Sequence, residues 1–483
     1  ITLADQSKID QAPERVVHDV LKAANLDWRI WATLSYHLSA LAEAAPAQFI
    51  AGVAAGLKRT PSPLGGLFVE EGGAFFPQHY HSGLISALET LAWKAEYVAP
   101  VADLLADLMP LDPVTQQANR PLERLYQILQ PWLKNSSSTA QDRLMVMTGL
   151  RSRRPEQAFR LLVRMMPTHH HFSGDYTHVP RWRDWEHERP DRWNPEEVRM
   201  TLTKVGEWLI EDAAQNADRC FRLCECAGDT RTPFFKQVMD HLLNVDISSW
   251  SSEERLRVWD KLRDVHTHHS NYKSQPQAMP EPMLQLLEGP MRRFEPTDPE
   301  THYRWVFGGA HPLPREERED YHALQERLTD EGATAILTAT GTEGIMRMVD
   351  KVENPWWLGY ATGRVVHSPA DEFVLLGWSL ANEDQKLRSF GKGLVSGLFK
   401  KRGWDWAHTL FASAEWPDWT AAKRGALLSV LPFDDATWTV VQTHGAEIEA
   451  AYWSTCEPWG TLSPAQAQFA GEHFLKHGRP LRA

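Results

Sequence analysis

Apolar residues recur along nearly the whole chain at the spacing of an α-helix, and this periodicity restricts the fold more than any other feature. From residue 28 to 41 the stripe Trp28, Trp31, Leu34, Leu38 and Leu41 keeps one face apolar over several turns. Val16, Val17, Val20 and Leu21 do the same behind Pro13, placed in a first turn where the missing N–H of proline is tolerated. Residues 46–58 carry Ala51, Gly52, Ala54, Ala55 and Gly56, small side chains that let a neighbouring helix come close. Helical spacing continues at 81–93, 119–133, 140–150 and 155–166, and over 195–216 it aligns Val198, Leu202, Val205, Trp208 and Leu209. Further helices are predicted over 252–266 behind a Ser-Ser-Glu-Glu start signal, then over 315–331, 333–349, 355–363, 371–380, 383–400 and 405–413, with short ones onward to 477. No stretch alternates apolar and polar residues between hairpin turns, so the expected fold class is all-α.

At 483 residues the chain exceeds what one hydrophobic core usually supports. Short helices joined by short loops fit an α-solenoid of degenerate helical hairpins, each burying its stripe against the next. No clean repeat period is present. The alternative architecture is a large compact multi-helix domain. Three segments are expected: an N-terminal helical array over 1–166, an irregular His/Trp/Pro-rich connector over 167–198, and a C-terminal helical array over 199–483.

The connector is where helical periodicity stops. A long irregular segment inside a helical chain is usually functional or an ordered linker. His169, His170, His171, Asp175 and His178 are its candidate metal ligands, because imidazole and carboxylate suit zinc or iron, although packing and hydrogen bonding within a large ordered loop is the preferred reading. Arg181, Trp182, Arg183, Trp185 and Trp193 are read as a structural connector or a partner-binding set, since Arg and Trp stack and dominate interaction hot spots. In the structural version Trp182 and Trp185 are buried and staple the two arrays together. A second His-rich loop is expected at 266–280, with His266, His268 and His269.

Composition narrows the partners. A formal net charge of −12 repels a phosphate backbone, so nucleic acid is not an expected partner, and the basic run Arg151, Arg153, Arg154 reads as a solvated loop. The 21 tryptophans against 10 tyrosines are expected mostly in the core. Four cysteines form no disulfide framework and suit a reducing cytoplasm; Cys220, Cys224 and Cys226 read as small buried hydrophobes rather than a zinc site. Neither a membrane span nor a signal peptide is apparent. A chain that starts at Ile1 is expected to be a piece of a larger protein.

No catalytic residue and no cofactor are expected from motifs. The glycine-lysine cluster at 389–398 lacks the GxxxxGK spacing and a preceding strand, so it forms no phosphate cradle, and 341–346 fails likewise. HExxH and GxSxG are absent. Asp434 and Asp435 fit a helix N-terminus, and Glu70 and Glu71 a loop; neither pair implies acid–base chemistry.

Several strings together resemble a known class: LISALETLAW at 84–93, NRPLERLYQILQPW at 119–132, PRWRDW at 180–185, LPFDDATW at 431–438, EAAYW at 449–453 and HGRPLRA at 477–483. They are similar to the helical region beside the P-loop ATPase module of large bacterial STAND or NACHT-type ATPases, including antiviral defence proteins. The resemblance implies a helical sensor that binds a trigger, often a viral protein, while ATPase and effector parts lie elsewhere in the parent chain. The expected function is therefore a non-catalytic, cytoplasmic, protein-binding helical array. The alternatives are a metal-dependent enzyme built on the His-rich loops and an oligomerisation scaffold.

Overall fold

The computed structural model describes residues 11–69, 80–113, 119–132, 136–167, 178–185, 194–228, 233–272, 278–308 and 320–482. Every regular element among them is helical, so the chain is all-α. It divides into two compact units, Ile1–Ser248 and Ser249–Ala483. Of the expected connector over 167–198, residues 178–185 and 194–198 belong to the first unit, and residues 168–177 and 186–193 lie outside the described residues. No described helix is long and apolar enough to cross a membrane.

The first unit comprises α1 (Ala12–Ala24), α2 (Trp28–Thr33), α3 (Leu38–Ala44), α4 (Pro46–Leu57), α5 (His81–Ala92), α6 (Ala95–Leu108), α7 (Pro121–Leu129), α8 (Ala140–Arg153), α9 (Pro155–Met165), α10 (Pro195–Ala213), α11 (Ala217–Gly228) and α12 (Pro233–Asn244). The small residues of α4 act as expected: a Cβ on Gly52 would sit 2.6 Å from Leu21 Cδ1, so α1 and α4 are in close contact. Beside that contact the buried Trp31 donates its indole N–H to Asn25 Oδ1 at 3.1 Å, and Asn25 Nδ2 donates to Gly52 O at 2.8 Å. One polar side chain thereby satisfies the core tryptophan.

The stripe predicted as one helix from 28 to 41 is broken. A 3-10 turn at Ser35–His37 separates α2 from α3. The cause is tertiary: Ser35 Oγ donates to Tyr80 O at 3.3 Å, and the Ser35 carbonyl oxygen lies only 2.2 Å from where a Cβ on Gly83 would be. The start of α5 thus seats directly on the backbone of that turn. The basic run is also not a solvated loop. Arg151 pairs with Asp212 and Glu211, Arg153 with Asp103, and Arg154 with Asp103 and Asp107. Those carboxylates neutralise the patch.

The second unit comprises α13 (Ser252–Asn271), α14 (Glu281–Phe294), α15 (Pro299–His302), α16 (Tyr321–Val349), α17 (Pro355–Val365), α18 (Pro369–Ser379), α19 (Gln385–Phe411), α20 (Ala421–Leu428), α21 (Asp435–Thr443), α22 (Ala446–Thr455) and α23 (Pro464–Lys476). The expected loop at 266 is helical up to Asn271. A capping box at Ser251 and Glu254 starts α13, and no glycine or proline interrupts it through the histidines. The break expected near Gly332 falls instead at Gly341, where φ is +64°. Gly332 serves a different end, because Tyr303 occupies the space a side chain would need.

The glycines of the 389–398 cluster have a packing role. A Cβ on Gly393 would lie 2.1 Å from Trp356 O, and one on Gly397 2.1 Å from Tyr360 O. On the facing helix, a Cβ on Gly359 would lie 2.1 Å from Phe390 O, and one on Gly363 2.3 Å from Leu394 O. α17 and α19 thus interlock backbone to backbone through two reciprocal glycine pairs. Toward the C-terminus Trp438, Tyr452, Trp453 and Phe474 form a buried aromatic cluster, in which Trp438 Nε1 donates to the Tyr452 hydroxyl at 3.2 Å.

Gly393→Ala forces a methyl group into a main-chain carbonyl. It is expected to lower stability by about 2 kcal/mol. Gly377→Ala, with nothing within 4 Å of the new atom, gains up to about 1 kcal/mol of helix propensity. Urea unfolding of the two variants should shift in opposite directions.

Candidate functional site

The residues of interest sit where segment 178–185 packs on α3 and α5 of the first unit. Two glutamates on α3 and α5 hold it. Glu43 is 2% exposed, in the last turn of α3, where the helix dipole disfavours an acid. Its carboxylate is satisfied from the segment: the Arg181 N–H donates to Oε1 at 3.1 Å and the Trp182 N–H to Oε2 at 2.6 Å. Arg183 completes the clamp, its Nε donating to Glu43 O at 2.9 Å and its NH2 to Ala44 O at 3.4 Å. A guanidinium on the last carbonyls of α3 compensates the acid in the same turn.

Glu89 is the second buried acid of the site, also 2% exposed, at the start of the last turn of α5. Arg124 of α7 donates to its Oε1 at 2.6 Å, and His178 Nδ1 lies 2.9 Å from its Oε2. Arg124 NH2 also donates to Asn119 Oδ1 at 2.9 Å. One turn before Glu89, Ser86 Oγ lies 3.3 Å from His178 Nε2. The indole N–H of the fully buried Trp93 donates to His178 O at 2.9 Å. Backbone and both ring nitrogens of His178 are thereby engaged by one helix and the residue after it.

Next to His178 a cleft of about 630 Å³ is lined by Ala32, Ser35, Tyr36, Ser39, Tyr80, Ser82, Gly83 and Ser86. Of its nine lining residues, His178 included, six carry a hydroxyl. On the other side of the clamp Trp185 tilts against Tyr97 of α6, ring centroids 5.8 Å apart, and Arg183 lies 6.0 Å from the Trp185 ring. Burial, then the neighbouring Glu96, raises the pKa of the Tyr97 phenol above the usual tyrosine range.

Trp182 contradicts its expected burial. Its side chain is 69% exposed, with the Arg181 guanidinium 5.3 Å from the ring. The reason is the clamp: with the amides of 181 and 182 both turned down onto Glu43, the side chain of 182 is left outside. Trp185 is half-buried against Tyr97 rather than between two arrays.

Of the candidate metal ligands, His169, His170, His171 and Asp175 lie outside the described residues, as does Trp193. His178 is spoken for by Glu89 and Ser86. Among the described residues no group of three or more His, Cys, Asp or Glu is placed to hold a metal ion. Cys220, Cys224, Cys226 and Cys456 are buried free thiols, and burial pushes the Cys220 thiol up to about 12, which leaves it unreactive. The chain matches no family model, no curated protein and no solved structure.

Sequence reasoning missed Glu43, Ser86, Glu89 and Arg124. The available signal was an acid inside an apolar helical run, Glu89 within LISALETLAW, which needs a buried partner. Glu43→Gln keeps the size but loses the charge and one of two acceptors. It is expected to cost about 2 kcal/mol and to speed tryptic cleavage after Arg181 and Arg183. Unchanged cleavage would mean that Glu43 does not hold the segment.

Proposed function

We propose that this chain is a protein-binding helical array whose first unit presents Trp182 and Arg181 to a partner. The observation that carries the reading is a large aromatic side chain, 69% exposed, on a backbone pinned by a buried carboxylate. Tryptophan and arginine are the residues most enriched at interaction hot spots, and pinning the backbone in advance lowers the entropy lost on binding. An exposed Trp with a cation against its face is a ready anchor.

The resemblance to STAND and NACHT-type ATPases supports a more specific version. In it the array is an α-solenoid and the trigger-sensing region of a bacterial antiviral defence ATPase. Its trigger is then a protein, with viral proteins the first candidates, and its other partners are the ATPase and effector parts of the parent chain. Four free cysteines suit the reducing bacterial cytoplasm that such a sensor occupies. The ion-paired arginines at 151–154 and the net charge of −12 favour protein over nucleic acid as ligand.

Capture from phage-infected bacterial lysate, followed by affinity measurement on the purified partner, tests this. Trp182→Ala is expected to weaken binding on the order of thirtyfold, as loss of about 2 kcal/mol at a hot spot does, with no change in melting temperature. Equal affinity of wild type and variant would sink the assignment of this surface.

A further inference from the structure

We propose that Ser86, His178 and Glu89 form a nucleophile–base–acid triad that cleaves a small polar ester in the adjoining cleft. The geometry has the three required links: Ser86 Oγ to His178 Nε2 at 3.3 Å, His178 Nδ1 to Glu89 Oε2 at 2.9 Å, and a buried carboxylate fixed from behind by Arg124 at 2.6 Å. With Nδ1–H donating to Glu89, the tautomer places the lone pair of Nε2 toward the serine hydroxyl, as a general base requires. Holding the segment does not need that last contact. Glu89 and the Trp93 bond to His178 O already fix the histidine, so the alignment of Nε2 on a hydroxyl is a separate feature.

Access and lining fit the chemistry. Ser86 and His178 both border the cleft of about 630 Å³, and its other walls carry the hydroxyls of Ser35, Ser39 and Ser82 and the rings of Tyr36 and Tyr80. Tyr36 is 98% exposed and marks the rim. Such a lining selects a short acyl group on a polar alcohol over a lipid. The first turn of α5, which contributes Ser82 and Gly83 to the wall, brings the positive end of the helix dipole to the cleft where oxyanion charge develops.

The reaction balances with water alone. Ser86 Oγ adds to the ester carbonyl carbon as His178 Nε2 takes the hydroxyl proton. The carbon–oxygen bond to the alcohol breaks, and that alcohol leaves with the proton from Nε2. Water then adds to the Ser86 acyl ester, giving its proton to Nε2, and Ser86 Oγ leaves and takes the proton back. Ester and water become carboxylic acid and alcohol, while Glu89 stays ionised and steadies the imidazolium.

The test uses the full chain with a small fluorophosphonate and with p-nitrophenyl acetate. Mass spectrometry is expected to show one phosphonyl adduct per chain, on Ser86. Ester hydrolysis should fall at least about a hundredfold in Ser86→Ala and in His178→Gln, with melting temperatures that show both variants folded. Leu475→Ala, at an exposed position of the second unit, should label like wild type, and because labelling is read on the purified chain without a partner, failure of the binding proposal leaves this one standing and the reverse. Folded wild-type protein without an adduct on Ser86, or hydrolysis unchanged in Ser86→Ala, would overturn the triad and leave His178 as a tether only.

Discussion

Two carboxylates buried in apolar helix faces set the shape of the first unit. Taking an ionised acid out of water costs several kcal/mol even after relaxation, so it persists only where charge and hydrogen bonds are supplied on site. Glu43 receives two main-chain N–H groups and Glu89 receives Arg124 and His178. Each acid therefore demands a particular stretch of distant chain. The 178–185 segment is that stretch for both, and its position follows from the need to satisfy them.

The same demand decides what the segment shows. Glu43 draws the amides of 181 and 182 inward, which leaves Trp182 outward, and Glu89 orients His178 so that its second nitrogen meets Ser86. Binding and chemistry are thus proposed at neighbouring points of one segment, each resting on its own glutamate. In the second unit the organising contact is steric rather than electrostatic. Gly359, Gly363, Gly393 and Gly397 let the backbones of α17 and α19 touch, and larger residues there would push them apart.

The all-α class was legible because helical spacing is a local property, written in stripes such as Val16 to Leu21. Close packing by the small residues of α4 was legible for the same reason. Breaks were not. Ser35–His37 leaves the helix because the start of α5 presses on it, and Gly332 stays helical because Tyr303 fills its missing side chain; both depend on contacts remote in sequence. Trp182 reads as core by residue type, and only a partner 139 residues away places it outside. The site failed to show because its members, Glu43, Ser86, Glu89 and Arg124, look like ordinary helix residues until segment 178–185 is brought beside the two glutamates. The resemblance to STAND-type sensors suggested what the array binds, whereas no motif pointed to Ser86.

Residue-resolved amide hydrogen exchange on the wild-type chain tests the central claim most directly. If Glu43 holds the segment, the amides of Arg181 and Trp182 exchange tenfold to a hundredfold more slowly than in a free chain, roughly what charged hydrogen bonds of 1.5–3 kcal/mol provide. Their protection should approach that of the amides around Glu43 in α3. Exchange of both amides at the free-chain rate, beside a protected α3, would contradict it.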